Sequence, residues 1–337
     1  MAWSSPVTAQ NYLKRNYDTD GKEVLRAFAP VVAEARHGVV EFYLGDEQIV
    51  LGTVVTADGL VLTKASDLRQ GLDEPEDIER ELTAQLADGR RVVAQLLNED
   101  RLNDLALVQL EADELRPVTF DLAAPPRLGQ WVVVPGLGES PEAVGVMSAL
   151  PRRVNGVRLG IALGDRQSDG RPVIGMTQPG MGARVAGLQQ GDVLVSIAGK
   201  PVTNSQDVID AIQHVIAGDV VEVIVERNGS RLVFGVEMML PEVDPENSRV
   251  DRMNTMGNDI STRRDGFASV LQHDATLAPT ECGGPLLDLD GRCVGLNIAR
   301  AGRIEAYALP AEVVVAALAK MTDQVMVRDA DPEAADH

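Results

Sequence analysis

The amino-acid sequence predicts a mainly β fold that contains a smaller α+β unit. Short runs of strand-forming residues recur through most of the chain and are separated by turn residues, whereas the stretch 157–240 combines strand and helix patterns. The chain has 337 residues, of which 45% are hydrophobic and only 3% are aromatic. This length suggests about two domains, and their cores must be built from aliphatic side chains.

Composition excludes several classes of function. The net charge is −20 at pH 7, which argues against a nucleic-acid partner because phosphate binding needs clustered Lys and Arg. The sequence has no run approaching the roughly 20 apolar residues of a membrane span. Two cysteines are too few for a disulfide framework. Metal-ligand spacings and glycine-rich phosphate loops are absent, so no metal and no cofactor are expected.

The first part of the chain predicts one helix followed by closely spaced strands. Apolar residues at helical spacing predict a helix over 21–36. Strands are expected at 39–43, 49–56, 60–63, 82–86, 91–96, 105–110 and 131–134. Asp58-Gly59 and Asp88-Gly89 are strong hairpin signals between them. Such regular spacing is typical of a barrel or a sandwich.

Two changes of composition divide the chain, one near 151–153 and one over the polar segment 241–264. Beyond the second change, strands are expected at 269–272, 286–287, 294–298 and 306–309, with a helix at 311–321. These boundaries give an N-terminal helical segment at 1–37, a first strand-rich region at 38–150, the α+β unit at 151–241, a linker at 242–264, a second strand-rich region with a helix at 265–322 and a disordered acidic tail at 323–337.

The α+β unit contains a glycine-rich motif. Residues Val185-Ala186-Gly187-Leu188-Gln189-Gln190-Gly191-Asp192-Val193-Leu194 are followed by Ile197-Ala198-Gly199-Lys200-Pro201-Val202. This run, with a helix expected at 205–214, resembles a PDZ domain of the bacterial type over about residues 155–240.

The PDZ resemblance implies a groove for polypeptide C-termini. A PDZ domain adds an extended peptide as a strand and captures its carboxylate on backbone N–H groups. The matching loop is Arg158-Leu159-Gly160-Ile161, where Gly160 permits close backbone approach and Arg158 adds positive charge. Val208 and Ile212 lie one helical turn apart, and they either receive an apolar peptide side chain or fill the core.

A second motif lies in the last third of the chain. Cys282-Gly283-Gly284-Pro285-Leu286 is followed by Asp288-Leu289-Asp290-Gly291 and Val294-Gly295-Leu296-Asn297. This pattern resembles the nucleophile loop of trypsin-like serine proteases, in particular the HtrA/Deg family, and the resemblance covers about 38–150 and 265–315. It implies a double six-stranded β-barrel. The PDZ unit would then be inserted within the second barrel, whereas in the family it follows the protease domain.

The catalytic positions depart from the family pattern. Asp104, in Asn103-Asp104-Leu105, matches the orienting carboxylate, but Ser66 stands where the family has the catalytic His. Cys282 takes the place of the nucleophilic Ser, and Thr280 stands where a glycine aims an oxyanion-hole N–H. A hydroxyl cannot accept a proton near neutrality, and His273 is expected to be a strand residue without a catalytic role.

We therefore interpret the chain as a catalytically inactive pseudoprotease that binds peptides or unfolded protein in a quality-control, scaffold or chaperone-like role. The alternative is an active endopeptidase that uses Cys282 as its nucleophile. The family resemblance also implies a homotrimer and a periplasmic or secreted location. The first ten residues lack the pattern of a signal peptide.

Overall fold

The computed structural model describes residues 21–73, 81–123, 126–154, 156–164, 170–212, 215, 218–239, 253 and 259–330. The predicted class is confirmed, because two closed six-stranded barrels and a smaller α+β unit make up most of these residues. Among the described helices, none is long and apolar enough to span a membrane.

The first barrel is formed by one continuous stretch of chain. Its strands are β1 (Val39–Leu44), β2 (Glu47–Val54), β3 (Leu60–Lys64), β4 (Leu82–Leu86), β5 (Arg91–Asp100) and β6 (Leu105–Leu110), and they close in the order β1-β2-β3-β6-β5-β4. Asp58-Gly59 forms the turn between β2 and β3, where Gly59 has a φ of +104°, as the hairpin signal predicts. The helix α3 (Ala65–Asp73) follows β3 directly.

The second barrel is formed by two separated stretches. Its strands are β7 (Trp131–Val134) and β8 (Ala143–Val154), then β15 (Phe267–His273), β16 (Pro285–Leu287), β17 (Cys293–Gly302) and β18 (Glu305–Pro310), in the order β15-β18-β17-β16-β7-β8. β8 continues beyond the boundary expected at 151–153, with Arg152 opposite Val270 and Val154 opposite Phe267. The pairing that closes the barrel outweighs the local strand-breaking signal of Pro151.

The α+β unit lies in sequence between β8 and β15. It contains β9 (Ile161–Leu163), β10 (Ile174–Thr177), α4 (Gly182–Val185), β11 (Val193–Ile197), β12 (Lys200–Pro201), α5 (Ser205–Ile212), β13 (Val220–Arg227) and β14 (Ser230–Glu237). Its own aliphatic core includes Leu194, Val223 and Val236. The helix expected at 205–214 is confirmed as far as Ile212, and residues 213–214 lie outside the described ranges.

The terminal helices differ from the expectations. The helix predicted over 21–36 is divided into α1 (Lys22–Ala27), α2 (Ala29–Val32) and a 3₁₀ turn, Ala35–Gly38, because Pro30 lacks an N–H and starts a new helix. The last helix, α6 (Ala311–Ala330), is longer than predicted, so disorder is wrong for 323–330. Met321, on this helix, is buried in the core. Residues 331–337 lie outside the described ranges.

Candidate active site

The first two positions of the expected triad lie together where α3 leaves the first barrel. The Ser66 backbone N–H donates to Asp104 Oδ1 at 2.9 Å, and the Ser66 hydroxyl donates to Oδ2, also at 2.9 Å. Asp104 has a φ of +59°, which is uncommon outside glycine, and its carbonyl accepts from the Ala65 N–H. Ser66 therefore makes the bonds by which a carboxylate orients a catalytic base, but its hydroxyl cannot accept a proton near neutrality.

A lysine that the sequence analysis missed completes this cluster. The Lys64 ammonium donates to Ser66 Oγ and to Asp67 Oδ1 at 2.6 Å, and it lies 3.4 Å from Asp104 Oδ2. The Lys64 side chain is fully buried. Burial by itself lowers the pKa of Lys64, but the charges of Asp104 and Asp67 outweigh burial and raise it, with a smaller contribution from Cys282. Lys64 therefore stays protonated and cannot act as a base.

The signal for Lys64 was present in the sequence. It ends a strand whose preceding residues, Leu60-Val61-Leu62-Thr63, carry no charge, and all of β3 after Leu60 is buried. A lysine at the end of such a strand needs a buried carboxylate nearby. Because Asp104 is marked by its motif, the ion pair between Lys64 and Asp104 could have been predicted from the sequence.

Cys282, at the nucleophile position, is a fully buried thiol. Burial raises the pKa of Cys282 to about 12; the charge of Lys64 lowers this pKa and the charge of Asp67 raises it. The Sγ atom lies 3.8 Å from the hydroxyl of Ser261. Since a thiolate is the reactive form, both its burial and its raised pKa disfavour reaction of this thiol in the described conformation.

The turn before Cys282 engages the Cys282 backbone N–H, a hydrogen-bond donor that acyl transfer would need for the oxyanion. Residues Pro279–Glu281, which include Thr280, form a 3₁₀ turn. The Cys282 N–H donates to the Pro279 carbonyl at 3.0 Å, which closes this turn. In a trypsin-like mechanism the N–H of the nucleophile stabilises the oxyanion, so one of the two donors is already engaged.

The loop around Cys282 is fastened to the second barrel by Asn297. The Asn297 side chain donates to the carbonyls of Gly284 at 3.2 Å and Pro285 at 3.1 Å. His273 Nε2 donates to Asn297 Oδ1 at 3.0 Å, an assignment that fixes the tautomer. His273 Nδ1 is buried without a partner among the described residues. Burial lowers the pKa of His273 to about 4, so this neutral imidazole supports the loop and is not positioned as a base.

Arg300 fills the space between β17 and the loop before Cys282. Its guanidinium donates to the Leu277 carbonyl, and the residue is 3% exposed. Burial lowers the pKa of Arg300, and the nearby charge of Glu281 opposes that shift. The Arg300 guanidinium therefore holds the loop that precedes Cys282 against β17.

The groove residues expected from the PDZ resemblance lie on neighbouring elements of the α+β unit. The Leu159 carbonyl accepts from the Ala183 N–H and the Gly160 carbonyl accepts from the Gln178 N–H, each at 2.8 Å. Gly160 has a φ of +79°, and a Cβ there would lie 2.2 Å from the Met181 Cβ. Glycine is therefore required at this position.

The remaining groove residues form an edge and one wall. Ile161 begins β9, which pairs with β10 on one side; among the described strands, none pairs with its other edge. Val208 is 6% exposed and belongs to the core of the unit, while Ile212 is partly buried against that core. Arg158 is exposed, with its backbone bonded to Met239. In the described part of the chain, no group of three His, Cys, Asp or Glu residues is arranged to hold a metal.

Two family models match the chain. A trypsin-like peptidase domain matches residues 51–193, and a PDZ domain matches residues 157–238. The two ranges overlap within the α+β unit, and neither reaches Cys282. The part of the second barrel that follows the insertion therefore lies outside both matches.

The chain is similar to bacterial serine endoproteases in both sequence and structure comparisons. A probable periplasmic serine endoprotease, DegP-like, from Hahella chejuensis is 32% identical over 85 residues, and its counterpart from Halomonas elongata is 31% identical over 85 residues. Each match covers 25% of this chain and 16% of the relative's length. The structure of the serine endoprotease from Yersinia pestis is 18% identical over 64% of this chain and 98% of that chain, with a TM-score of 0.38. The structure of the HtrA-type protease AlgW with decapeptide is 15% identical over 64% of this chain and 99% of that chain, with a TM-score of 0.36.

Proposed function

We propose that the chain is an HtrA-type protein, in which a trypsin-like fold carries a PDZ domain, and that it binds polypeptide C-termini without cleaving them. One observation carries this proposal: Ser66, whose hydroxyl cannot accept a proton near neutrality, takes the position of the catalytic base and makes both of its bonds to Asp104. The raised pKa values of the neighbouring Lys64 ammonium and of the Cys282 thiol agree with it. Such a protein would act as a scaffold or as a chaperone-like factor in protein quality control.

The chemistry of peptide hydrolysis needs an ionised nucleophile, a base and oxyanion donors. With a pKa of about 12, only about three in 10⁵ Cys282 thiols are ionised at pH 7.5. Ser66 has no proton affinity in this range, and Lys64 is already protonated. Loss of triad members typically leaves only about 10³–10⁴-fold catalysis over water, which is far below a working protease.

Peptide binding is supported by the PDZ unit, where the matched family model and the local geometry agree. Gly160 adopts the left-handed backbone that the carboxylate loop requires, and β9 offers an edge at which a peptide strand can be added. Ile212 lines the same side as the buried Val208, so it is the wall residue that an apolar peptide side chain would contact.

A cysteine endopeptidase is the alternative function. It is favoured by the Cys282-Gly283-Gly284 motif and by the charge of Lys64, which lowers the pKa of the thiol. To become active, the site would have to admit water to Cys282 and turn its N–H away from Pro279. These changes define what the proteolysis test must be able to detect.

Proteolysis is tested by incubating the chain with unfolded casein beside a Cys282→Ala variant. We expect intact casein in both samples after a day at neutral pH, because neither Ser66 nor Lys64 can accept the proton of the thiol. Cleavage by the wild-type chain that is lost in Cys282→Ala would refute the proposal and establish the alternative. Cleavage that persists in the variant identifies a contaminating protease and is removed by further purification.

Binding is tested by calorimetry with a library of peptides that carry either a free C-terminal carboxylate or an amide. We expect free acids to bind and amides to bind at least about tenfold more weakly, since backbone donors recognise the carboxylate. Ile212→Glu should abolish binding, whereas Ile209→Glu on the exposed side of α5 is the matched control. Equal binding of acids and amides would rule out capture of the carboxylate.

We also propose a periplasmic or secreted location, supported by the periplasmic assignment of the two DegP-like relatives. The homotrimer implied by the resemblance stays a prediction. Fractionation of the native cells and sedimentation equilibrium of the purified chain test these two statements separately.

A further inference from the structure

A segment that follows the PDZ unit crosses the site at Cys282, and we call residues 259–265 the strap. The Ser261 N–H donates to the Arg300 carbonyl at 2.9 Å, and the Arg300 N–H donates to Ser261 Oγ at 2.9 Å. One backbone bond and one side-chain bond therefore fasten the strap to β17 at Ser261. Ser261 is fully buried, and its hydroxyl lies 3.8 Å from Cys282 Sγ.

The other end of the strap is bound to the first barrel. The Arg263 guanidinium donates to the carbonyls of Arg101 and Leu102 and lies 3.9 Å from Asp104 Oδ1. The strap thus contacts both barrels at once, and it touches residues at the nucleophile and carboxylate positions. The hydroxyl of Thr262 adds a bond to Gln70 on α3 at 3.1 Å.

The strap makes more buried contacts than a simple linker between the PDZ unit and the second barrel requires. The polar composition predicts a linker at 242–264, and the polar side chains of a linker usually lie in water. Instead, the Arg263 side chain is only 16% exposed, and its burial lowers the pKa of Arg263 against the pull of Asp104 and Asp100. Burying a guanidinium is unfavourable unless acceptors surround it, and here two carbonyls and a carboxylate do so. The strap is therefore bound specifically.

We propose that the strap is an intramolecular, autoinhibitory ligand that lies across both barrels and covers the Cys282 thiol. Two contacts hold it there: the Ser261 hydroxyl lies against the thiol, and Arg263, two residues later, reaches Asp104. Cys282 is accessible only when the strap leaves. This inference is independent of the PDZ groove proposed above.

The two cysteines of the chain provide the test. Both are buried, and burial raises the pKa of each to about 12, but the strap covers only Cys282. We would compare their alkylation rates by iodoacetamide at pH 8.5, site by site, using peptide mass spectrometry. In Ser261→Ala/Arg263→Gln, Cys282 should react at least about tenfold faster, equivalent to about 1.4 kcal/mol, with Cys293 unchanged. Arg231→Gln removes the same charge from an exposed position on β14, outside the strap, and should leave both rates unchanged.

Two outcomes overturn the proposal. If the double variant changes neither rate, the strap does not shield the thiol; if it accelerates both cysteines equally, the substitutions have only destabilised the barrel. A peptide with the sequence of residues 259–266 should restore protection of Cys282 in the variant. Failure of that peptide at about millimolar concentration, the effective concentration of a tethered segment, also overturns it.

A measurement on the wild-type chain covers the case in which the double variant does not fold. Alkylation is repeated in increasing urea below the unfolding transition. Opening of the strap exposes little surface, so Cys282 alkylation should depend weakly on urea, whereas Cys293 should follow the steep dependence of global unfolding. Equal urea dependence of the two cysteines would show that no local opening exists and would refute the strap as a removable ligand.

Discussion

Lowering the pH should reduce the free energy of unfolding of the chain through protonation of His273. The folded chain holds this imidazole neutral, with a pKa of about 4 against an ordinary value of 6.5, so the unfolded chain takes up its proton first as the pH falls. His273 therefore contributes stability that is complete above pH 6.5 and is lost between pH 6.5 and 4. The shift of about 2.5 units corresponds to about 3 kcal/mol at pH 4 and about 2 kcal/mol at pH 5.

The assay is urea unfolding of the wild type and of His273→Gln at pH 7.5 and pH 5. Glutamine keeps a donor for Asn297 Oδ1 but does not titrate, and all carboxylates are shared by the two chains. The wild type should lose about 2 kcal/mol more than the variant between these pH values. Parallel loss in both chains would show that His273 does not resist protonation, and the account of the buried, unpartnered Nδ1 would then be wrong.

Two further predictions concern stability. Gly283→Ala should destabilise the chain by more than about 2 kcal/mol, because Gly283 has a φ of +86° and a Cβ would lie 2.0 Å from the Leu51 carbonyl oxygen; Gly89→Ala, at a φ of +87° with open space around it, is the control and should cost less in the same urea titration. Lys64→Met should cost about 3–5 kcal/mol at pH 7, since it leaves the carboxylate of Asp67 without its cation and the buried carboxylate of Asp104 with only the more distant Arg263 guanidinium. A loss below 1 kcal/mol in Lys64→Met, comparable to that of the exposed Lys200→Met, would contradict this reading of the cluster.

The sequence was sufficient for elements whose signals are local. The strands of the first barrel follow from alternating apolar residues and from the turns at Asp58-Gly59 and Asp88-Gly89, because strand period and turn chemistry act within a few residues. The sequence was not sufficient where contacts with residues distant in the chain determine how far an element extends. The extension of β8 to Val154 depends on pairing with Phe267, and the helix beyond residue 321 depends on contacts with both barrels, including bonds from Asn98 of β5 to Met321 and Gln324.

The candidate site shows the same division. Ser66, Asp104 and Cys282 were found because a motif marks each position, whereas Ser261 and Arg263 lie in a segment whose composition is that of an ordinary linker. Nothing local distinguishes a serine in water from one held against β17; only the return path of the chain after the insertion brings it there.

Lys64 explains how the fold keeps this site without its histidine. A working triad contains a carboxylate, an imidazole that becomes cationic, and a nucleophile. Removing the imidazole alone would leave the buried Asp104 with only the Arg263 guanidinium, 3.9 Å from Oδ1, as a positive partner, and a buried carboxylate with so little compensation is costly. The Lys64 ammonium supplies that charge permanently, so the electrostatic frame around Asp104 is preserved while proton transfer is lost. On this argument Lys64 and Ser66 compensate each other, and Ser66→His in the presence of Lys64 should not restore proteolysis of casein. Casein cleavage by Ser66→His would show that the lysine is no obstacle to catalysis and would contradict this argument.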